Sequence, residues 1–426
     1  MRLLEVVLPT PRPAMKTINQ IGTFDLENYG DLLYPILFRR IVEQKSELVS
    51  IRHYSLVGGD APQQAGFESY PIKNLFTTTS AIPCSLVVGG GDLLRGDCDV
   101  IAAHYRQTYG GHFRTLRDSI GTANSLGYVL RKGIPLLNHD SFFAERFKQS
   151  RMNYHSAAPF LIDATQLPMG RTVCYLSCGV PEDFKPGERT RIAEVLDHAQ
   201  FIYVRDEQSA EKLRRAGVGR EIHVAPDLVV TLSEHFDYVK EARKGRKILS
   251  RLGLDDSRSV LCFQSKPFYG FRDQEIIQQL NDYRKKTHSE VVLLPLSYCH
   301  NDHKFLRRLA RRSGGVLKYA DVHSIFDIIS VIAASNMFVG TSLHGNITAF
   351  SFGIPHLFGP LPVDKTEGFL RVVGLPSELK LRSWAELNEK IEMATTLGRK
   401  VFSDLARKAQ AGVHRVMDEL FEDLPK

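Results

Sequence analysis

The segment 339–355, VGTSLHGNITAFSFGIP, surrounds one histidine with small and hydroxyl-bearing residues. Its pattern predicts a strand that ends at Val339 and a short helix that starts at His344. A histidine at a strand end can bind an anion or transfer a proton near neutral pH. A lone histidine more often has a structural role, but the hydroxyl groups of Thr341 and Ser342 on the same turn favour a functional role for His344.

A second candidate is Arg205, which directly follows a predicted strand at 200–204. A guanidinium at a strand end can bind a phosphate or a carboxylate through two parallel hydrogen bonds. The alternative is an ion pair with the neighbouring Asp206 that only fixes the turn. The segment Ala225-Pro-Asp227 places another carboxylate at the tip of the next predicted strand.

The segment 22–33, GTFDLENYGDLL, is predicted to follow a strand and to open a helix. Gly30 permits a tight backbone turn, and the free N–H groups of the helix N-terminus can bind an anion. Asp31, three residues after Asn28, is either a helix-capping carboxylate or a general base.

Three consecutive glycines end another predicted strand in the segment 87–92, VVGGGD. Such a triplet lets a ligand approach the backbone at the carboxyl edge of the sheet, although a tight strand-to-helix turn is the simpler alternative. The segment has neither the GxGxxG spacing of a dinucleotide site nor the GK[ST] of a P-loop. The residues selected here are Gly89, Gly90, Gly91 and Asp92.

Strands and helices that could position these residues alternate along the chain, which predicts an α/β protein with mostly parallel strands. The strands are continuous apolar runs, as expected when helices cover both faces of a sheet. Predicted strands lie at 3–8, 84–88, 134–137, 172–176, 200–204, 222–224, 259–263, 290–294 and 336–339. Predicted helices lie at 32–47, 118–132, 188–198, 207–216, 272–286, 302–312, 323–334, 346–352 and 384–421.

A polar, highly charged segment at 234–258 interrupts this pattern. We interpret it as a linker between two Rossmann-like domains, at 1–240 and 241–426; a long surface loop within one domain is the alternative. The predicted C-terminal helical segment at 384–421 is long enough to fold back across both domains.

The composition is that of a globular protein and excludes a collagen, a coiled coil or a disordered chain. The 426 residues carry a net charge of +7, and 43% of them are hydrophobic. A cytoplasmic protein is expected, since no secretory signal and no apolar stretch of about 20 residues is evident. The basic cluster at 307–312 is either a solvated helix face or a peripheral contact with the inner membrane surface. No nucleic-acid partner is expected.

The sequence predicts no metal site. Its six cysteines include no CxxC pair, so free thiols are expected. Asp97-Cys98-Asp99 is similar to the DxD metal motif of some glycosyltransferases, but such triplets often occur by chance.

The motifs NxGD, GGG, VRDxxS, APD and SLHG with GIP occur in an order that resembles the polysaccharide pyruvyl transferase family, from about residue 22 to residue 374. The resemblance implies a GT-B-like arrangement of two Rossmann-like domains with a ligand cleft between them. It also implies transfer of the pyruvyl unit of phosphoenolpyruvate to a sugar diol. The product is a pyruvate ketal, formed without a cofactor during cell-surface glycan or exopolysaccharide synthesis.

The resemblance assigns roles to individual residues. The family's arginine corresponds to Arg205, which is expected to bind the phosphoenolpyruvate anion, and its histidine corresponds to His344. For the chemistry of ketal formation, His344 is the candidate general acid and Asp31 the candidate base. The sequence has Ser342 where the family has an arginine, and Lys365 is a candidate for the missing charge. The residues expected to bind substrate are Asn28, Gly30, Gly89, Gly90, Gly91, Asp92, Thr341, Ser342 and Lys365.

The expected partner is a glycan or a lipid-linked sugar acceptor. Two other functions stay open at this point. One is a GT-B glycosyltransferase that uses a nucleotide-sugar donor, and the other is a non-catalytic sugar-binding member of a polysaccharide assembly complex.

Overall fold

The computed structural model describes most of the chain. The described residues are 16–45, 49–56, 58, 65–72, 74–77, 84–95, 160–167, 171–254, 257–268, 272–361 and 364–423. The strands predicted at 3–8 and 134–137, the helix predicted at 118–132 and the DxD triplet lie outside these residues.

The N-terminal half forms a parallel sheet of seven strands in the order β3-β2-β1-β4-β5-β6-β7. The strands are β1 (Lys16–Ile21), β2 (Val49–Ser55), β3 (Ser69–Pro71), β4 (Cys84–Gly89), β5 (Thr172–Cys178), β6 (Phe201–Val204) and β7 (His223–Val224). The helices are α1 (Tyr29–Lys45), α2 (Asn74–Thr77), α3 (Pro186–Asp197) and α4 (Glu207–Arg215). The order reverses between β1 and β4, which creates the crevice where open α/β sheets bind ligands.

The C-terminal half forms a parallel sheet of five strands in the order β10-β9-β8-β11-β12. The strands are β8 (Val260–Gln264), β9 (Glu290–Leu293), β10 (Lys318–Tyr319), β11 (Met337–Gly340) and β12 (His356–Phe358). The helices are α5 (Leu232–His235), α6 (Tyr238–Arg251), α7 (Asp273–Thr287), α8 (Asp302–Arg312), α9 (Ile325–Ala333), α10 (Leu343–Ser351), α11 (Asp364–Val373) and α12 (Leu387–Asp423). This sheet also reverses its order, between β8 and β11.

The central strands owe their position to uninterrupted apolar sequence. Every residue of β6, β8, β9 and β11 is buried. Burial of both faces of a strand requires helices above and below the sheet, and the βαβ connections supply them. The predicted α/β class with two Rossmann-like halves is confirmed.

The charged segment predicted as a linker contains helix α6, and the predicted boundary between residues 240 and 241 falls inside that helix. Among the residues of α6 only Gly245 and Leu249 are buried, which explains why the sequence is so polar. Helix α6 packs on α9 so closely that a Cβ atom at Gly245 would overlap the carbonyl oxygen of Ser330. The sequence pattern of this segment is therefore that of a helix with one narrow buried face.

Helix α12 connects the two halves, as its predicted length suggested. It bends at Gly398, whose φ of 73° is in the left-handed region. Near its end, His223 of β7 pairs with Glu419 at 3.0 Å, and Lys45 of α1 pairs with Asp418. Among the described residues, no helix is both long and apolar enough to span a membrane.

We predict that acid weakens the fold through two buried histidines, one in each sheet. Burial, assisted by the charge of Arg39, lowers the pKa of His53 to about 3, and burial lowers the pKa of His356 to about 4. Below pH 6.5 these two histidines bind protons in the unfolded chain but not in the folded chain. The free energy of unfolding therefore decreases as the pH is lowered. The loss is about 2 kcal/mol for each histidine at pH 5.

Urea denaturation at pH 7 and pH 5 measures this loss, and His356→Phe should reduce its size. Equal pH dependence in the variant and the parent protein would contradict the assignment to His356.

Candidate active site

A cleft of about 410 Å³ lies between the two sheets, at the carboxyl ends of their strands. In both sheets the lining residues follow parallel strands, since the carboxyl ends of parallel strands meet at one edge. Its polar and charged lining residues are Thr23, Asn28, Asp31, Asp92, Arg95, Glu182, Arg205, Gln264, Lys266, Ser297, His300, Thr341, Ser342, His344 and Lys365.

A larger hollow of about 620 Å³ lies between β7, α11 and α12. None of the candidate catalytic residues lines it. The chemistry suggested by the sequence is therefore concentrated in the smaller cleft.

Arg205 is buried at the end of β6 and is surrounded by three carboxylates. It forms an ion pair with Asp92, lies 3.4 Å from Asp227 and lies 4.0 Å from the carboxylate of Asp206. Burial alone would lower the pKa of Arg205, but these carboxylates outweigh it and raise the pKa. Arg205 is 4% exposed, so most of its charge acts on protein groups at the cleft wall.

Asp227 links the two halves of the site. One of its carboxylate oxygens lies near Arg205 of the first sheet and 3.5 Å from Nε2 of His344, at the start of α10. Burial would raise the pKa of Asp227, but the hydrogen bond and charge of His344 together with Arg205 lower it. The carboxylate of Asp227 therefore stays ionised and orients both side chains.

His344 reaches Asp227 because Gly30 has no side chain. A Cβ atom at Gly30 would overlap Nδ1 and the adjacent ring carbons of His344. Next to Gly30, the hydroxyl of Tyr29 hydrogen-bonds the hydroxyl of Thr348 in α10 at 2.8 Å. The N-terminus of α1 thus docks directly onto α10 and sets the position of the imidazole.

Asp31 lies in the first turn of α1 and lines the cleft. Its carboxylate accepts a hydrogen bond from Nδ2 of Asn28 at 2.9 Å. Burial raises the pKa of Asp31 above its usual value, and the charge of His344 opposes that rise. A carboxyl group with a raised pKa beside an imidazole is suited to accept and return a proton.

The three glycines of the triplet have different surroundings: two pack against a buried side chain and one lines the cleft. Gly89 and Gly90 face the side chain of Tyr34, and an added Cβ atom at either position would overlap it. Gly91, with φ of 78°, and Asp92 line the cleft. Lys365 and Arg205 reverse the effect of burial on Asp92 and lower the pKa of its carboxyl group.

A buried amide supports the loop that carries Thr341 and Ser342. Oε1 of Gln264 accepts hydrogen bonds from the backbone N–H of Ser342 at 2.8 Å and from the hydroxyl of Thr341 at 3.3 Å. Nε2 of Gln264 donates to Asp302, whose carboxylate also accepts the N–H groups of Leu296 and Ser297. The loops after β8, β9 and β11 are thus held by one network.

The structure brings together most of the residues selected from the sequence, and it adds others. Asn28, Asp31, Gly91, Asp92, Arg205, Thr341, Ser342, His344 and Lys365 line the cleft, whereas Gly30, Gly89 and Gly90 pack behind it. The polar lining residues that were not predicted from the sequence are Thr23, Arg95, Glu182, Gln264, Lys266, Ser297 and His300. Their position in the sequence was the signal that could have identified two of them. Gln264 and Lys266 directly follow the strand predicted at 259–263, where a parallel sheet binds ligands.

No group of three or more histidine, cysteine, aspartate or glutamate side chains in the described part of the chain is arranged to hold a metal ion. Three of the cations that line the cleft, Arg95, Arg205 and Lys365, are instead paired with carboxylates.

The fold is similar to the folds of several solved proteins. UDP-GlcNAc 2-epimerase from Methanocaldococcus jannaschii, solved with UDP-GlcNAc and UDP, matches with a TM-score of 0.52 and 11% identity, over 96% of this chain and 100% of that chain. Anabaena HepE, solved with UDP-glucose, matches with a TM-score of 0.52 and 12% identity, over 96% of this chain and 99% of that chain. A glycosyltransferase from Rickettsia africae matches with a TM-score of 0.50 and 12% identity, over 96% of this chain and 97% of that chain. At such identities the likeness establishes the GT-B-like fold.

The sequence comparisons identify the family. None of the curated proteins compared with this sequence matches it. The profile described as polysaccharide pyruvyl transferase matches residues 28–358, a range that begins at Asn28 beside the cleft and ends with the last strand of the second sheet. The chain therefore belongs to the polysaccharide pyruvyl transferase family.

Proposed function

We propose that this protein transfers the pyruvyl unit of phosphoenolpyruvate to two hydroxyl groups of a sugar and forms a pyruvate ketal. The acceptor would be part of a glycan or a lipid-linked sugar in the synthesis of a cell-surface polysaccharide in the cytoplasm. The observation that carries the proposal is the arrangement of His344, held by Asp227, beside Asp31 in a cleft that also contains several cations.

The reaction requires one proton at carbon and two C–O bonds. The methylene carbon of phosphoenolpyruvate takes a proton, and the resulting cation at C2 is attacked by one sugar hydroxyl. The second hydroxyl then replaces phosphate at C2. Of the two hydroxyl protons, one is recovered in the new methyl group and the other leaves with phosphate, so no cofactor is consumed.

His344 is suited to the role of general acid. Nε2 of its imidazole lies 3.5 Å from Asp227, and the side chain lines the cleft. An adjacent ionised carboxylate stabilises the protonated imidazole and fixes its orientation. These are the properties needed to protonate a carbon atom.

Asp31 is suited to accept the proton of the attacking hydroxyl. Its raised pKa increases the basicity of the carboxylate, and Asn28 fixes one of its oxygens. Its electrostatic coupling to His344 fits a sequence in which His344 acts first as the acid and Asp31 acts next as the base.

Arg205 has two possible functions in this scheme. Its ion pairs with Asp92 and Asp227 fix two carboxylates that follow strands of the first sheet. The contact with the donor anion that the family resemblance implies remains a prediction.

Nucleotide-sugar transfer is the second candidate. It is supported by the fold, because HepE was solved with UDP-glucose in the same type of two-domain protein. The two functions differ in the donor that is consumed, and an assay with both donors separates them.

We predict that the purified protein releases phosphate from phosphoenolpyruvate when a suitable sugar diol is present, and that His344→Gln lowers the turnover. The expected loss is about 10²–10⁴-fold, the usual contribution of a general acid. The dissociation constant for phosphoenolpyruvate should change little, since glutamine keeps a polar group at the site. Phosphate release and isothermal titration measure the two quantities.

His414→Gln is the control, because His414 pairs with Glu234 outside the cleft and should leave turnover unchanged. Consumption of a nucleotide sugar without any phosphate release from phosphoenolpyruvate would replace the proposal with the second candidate. Full turnover of His344→Gln would exclude His344 as the acid.

A second prediction concerns Gly30. Gly30→Ala should displace the imidazole of His344 and lower turnover about 100-fold, as a catalytic group moved by about 1 Å does. The matched control is Gly187→Ala, since Gly187 is also the second residue of a helix and an added Cβ atom there meets nothing within 4 Å.

Steady-state kinetics of both variants, with melting temperatures to confirm folding, check this prediction. If the two variants are equally active, the approach of His344 to Gly30 does not matter for catalysis.

A further inference from the structure

Lys266 lines the cleft immediately beyond β8. Its backbone N–H donates to the hydroxyl of Thr341 at 3.1 Å, so Lys266 is tied to the loop that carries His344. The position of its backbone is therefore fixed by the same network that supports the candidate acid.

Four lysine and arginine side chains line the cleft, and they differ in whether a carboxylate pairs with them. Arg95 lies 3.5 Å from Glu182, Arg205 pairs with Asp92, and Lys365 lies 3.2 Å from Asp92. The ammonium group of Lys266 has no such carboxylate partner among the residues that the structure describes. One cation of the cleft wall is thus available to a ligand.

Lys266 and Lys365 also repel each other. Burial and the charge of Lys365 lower the pKa of Lys266, and Asp92 opposes this only in part. Two ammonium groups that face one cleft are stabilised when an anion lies between them. Each can donate charge-assisted hydrogen bonds to phosphate oxygens.

We infer that Lys266 and Lys365 together bind the phosphate group of the donor substrate. The inference rests on the proposed function in naming the donor as phosphoenolpyruvate, but the chemistry it describes is that of a phosphate group. A phosphate monoester and the diphosphate of a nucleotide sugar would both satisfy it. In the reaction proposed above, the two ammonium groups stabilise the phosphate that leaves C2.

The test is isothermal titration at low ionic strength with inorganic phosphate, phosphoenolpyruvate and UDP as probes. Lys266→Gln should raise the dissociation constant of each probe that the parent protein binds by at least about tenfold, since it removes a hydrogen bond between charged groups. Lys266→Arg should keep most of the affinity. Lys285→Gln, at an exposed lysine of α7 outside the cleft, should have no effect.

Melting temperatures give a second measurement. Without ligand, Lys266→Gln should melt no lower than the parent protein, because it removes a repulsion. Added phosphate should raise the melting temperature of the parent protein more than that of the variant. A variant that unfolds or melts much lower would show that Lys266 is structural and would overturn the inference.

The outcomes separate this inference from the proposed function. Turnover of phosphoenolpyruvate with equal affinity in Lys266→Gln and the parent protein overturns the phosphate site and leaves pyruvyl transfer standing. Binding of UDP that depends on Lys266, without turnover of phosphoenolpyruvate, supports the phosphate site and rejects pyruvyl transfer. A parent protein that binds none of the three probes overturns the phosphate site.

Discussion

The buried carboxylate of Asp227 is the contact on which the candidate site depends. It lies between a guanidinium from the first sheet and an imidazole from the second, and only 2% of its surface is exposed. Removal of one partner from a buried ion pair usually costs about 3–5 kcal/mol, because the other charge is left without compensation. Asp227 therefore couples the two domains through charge at the point where the proposed reaction occurs.

Close packing at the start of α1 reinforces this coupling. The N–H of Tyr29 donates to the carbonyl of Leu296 at 2.9 Å, and its hydroxyl bonds Thr348. Gly30 admits the ring of His344 between these two contacts. The cleft walls are consequently held in a fixed relation by backbone and side-chain contacts, which favours a site assembled before the substrate binds.

Much of the fold was predictable because its signals are local. The runs that form β4, β5, β6, β8, β9 and β11 are mostly apolar, and the strand ends that precede Arg205 and His344 were located within one residue. Helix α6 was not predicted within the segment interpreted as a linker, since a helix with a narrow buried face has almost the composition of a loop. Five strands were not predicted: β1, β2, β3, β10 and β12. Of these, β3, β10 and β12 have only two or three residues, which carry too little periodicity.

The site was less predictable, because its pairings join distant parts of the chain. The glycine triplet suggested a ligand contact, but two of its members make room for Tyr34, a partner 55 residues or more away in sequence. Lys266 has no motif around it, and the role inferred for it depends on Lys365, which lines the same cleft. Opposite charges at different strand ends become neighbours only in the folded chain. The spacing of residues in one sequence does not reveal such pairs.

Ser342 illustrates how such pairings can compensate for a missing motif residue. The family resemblance places an arginine at this position, yet here the serine side chain accepts the N–H of Gly345 at 3.2 Å and caps α10. Serine is one of the best N-cap residues, and it stabilises the helix start that presents His344. The cap leaves the loop without a cation, and Lys365 from α11 and Lys266 from the end of β8 face the same cleft. An anion site can thus be kept when its charges come from neighbouring strand ends, because a phosphate group responds to the positions of the charges and not to the chain segment that carries them.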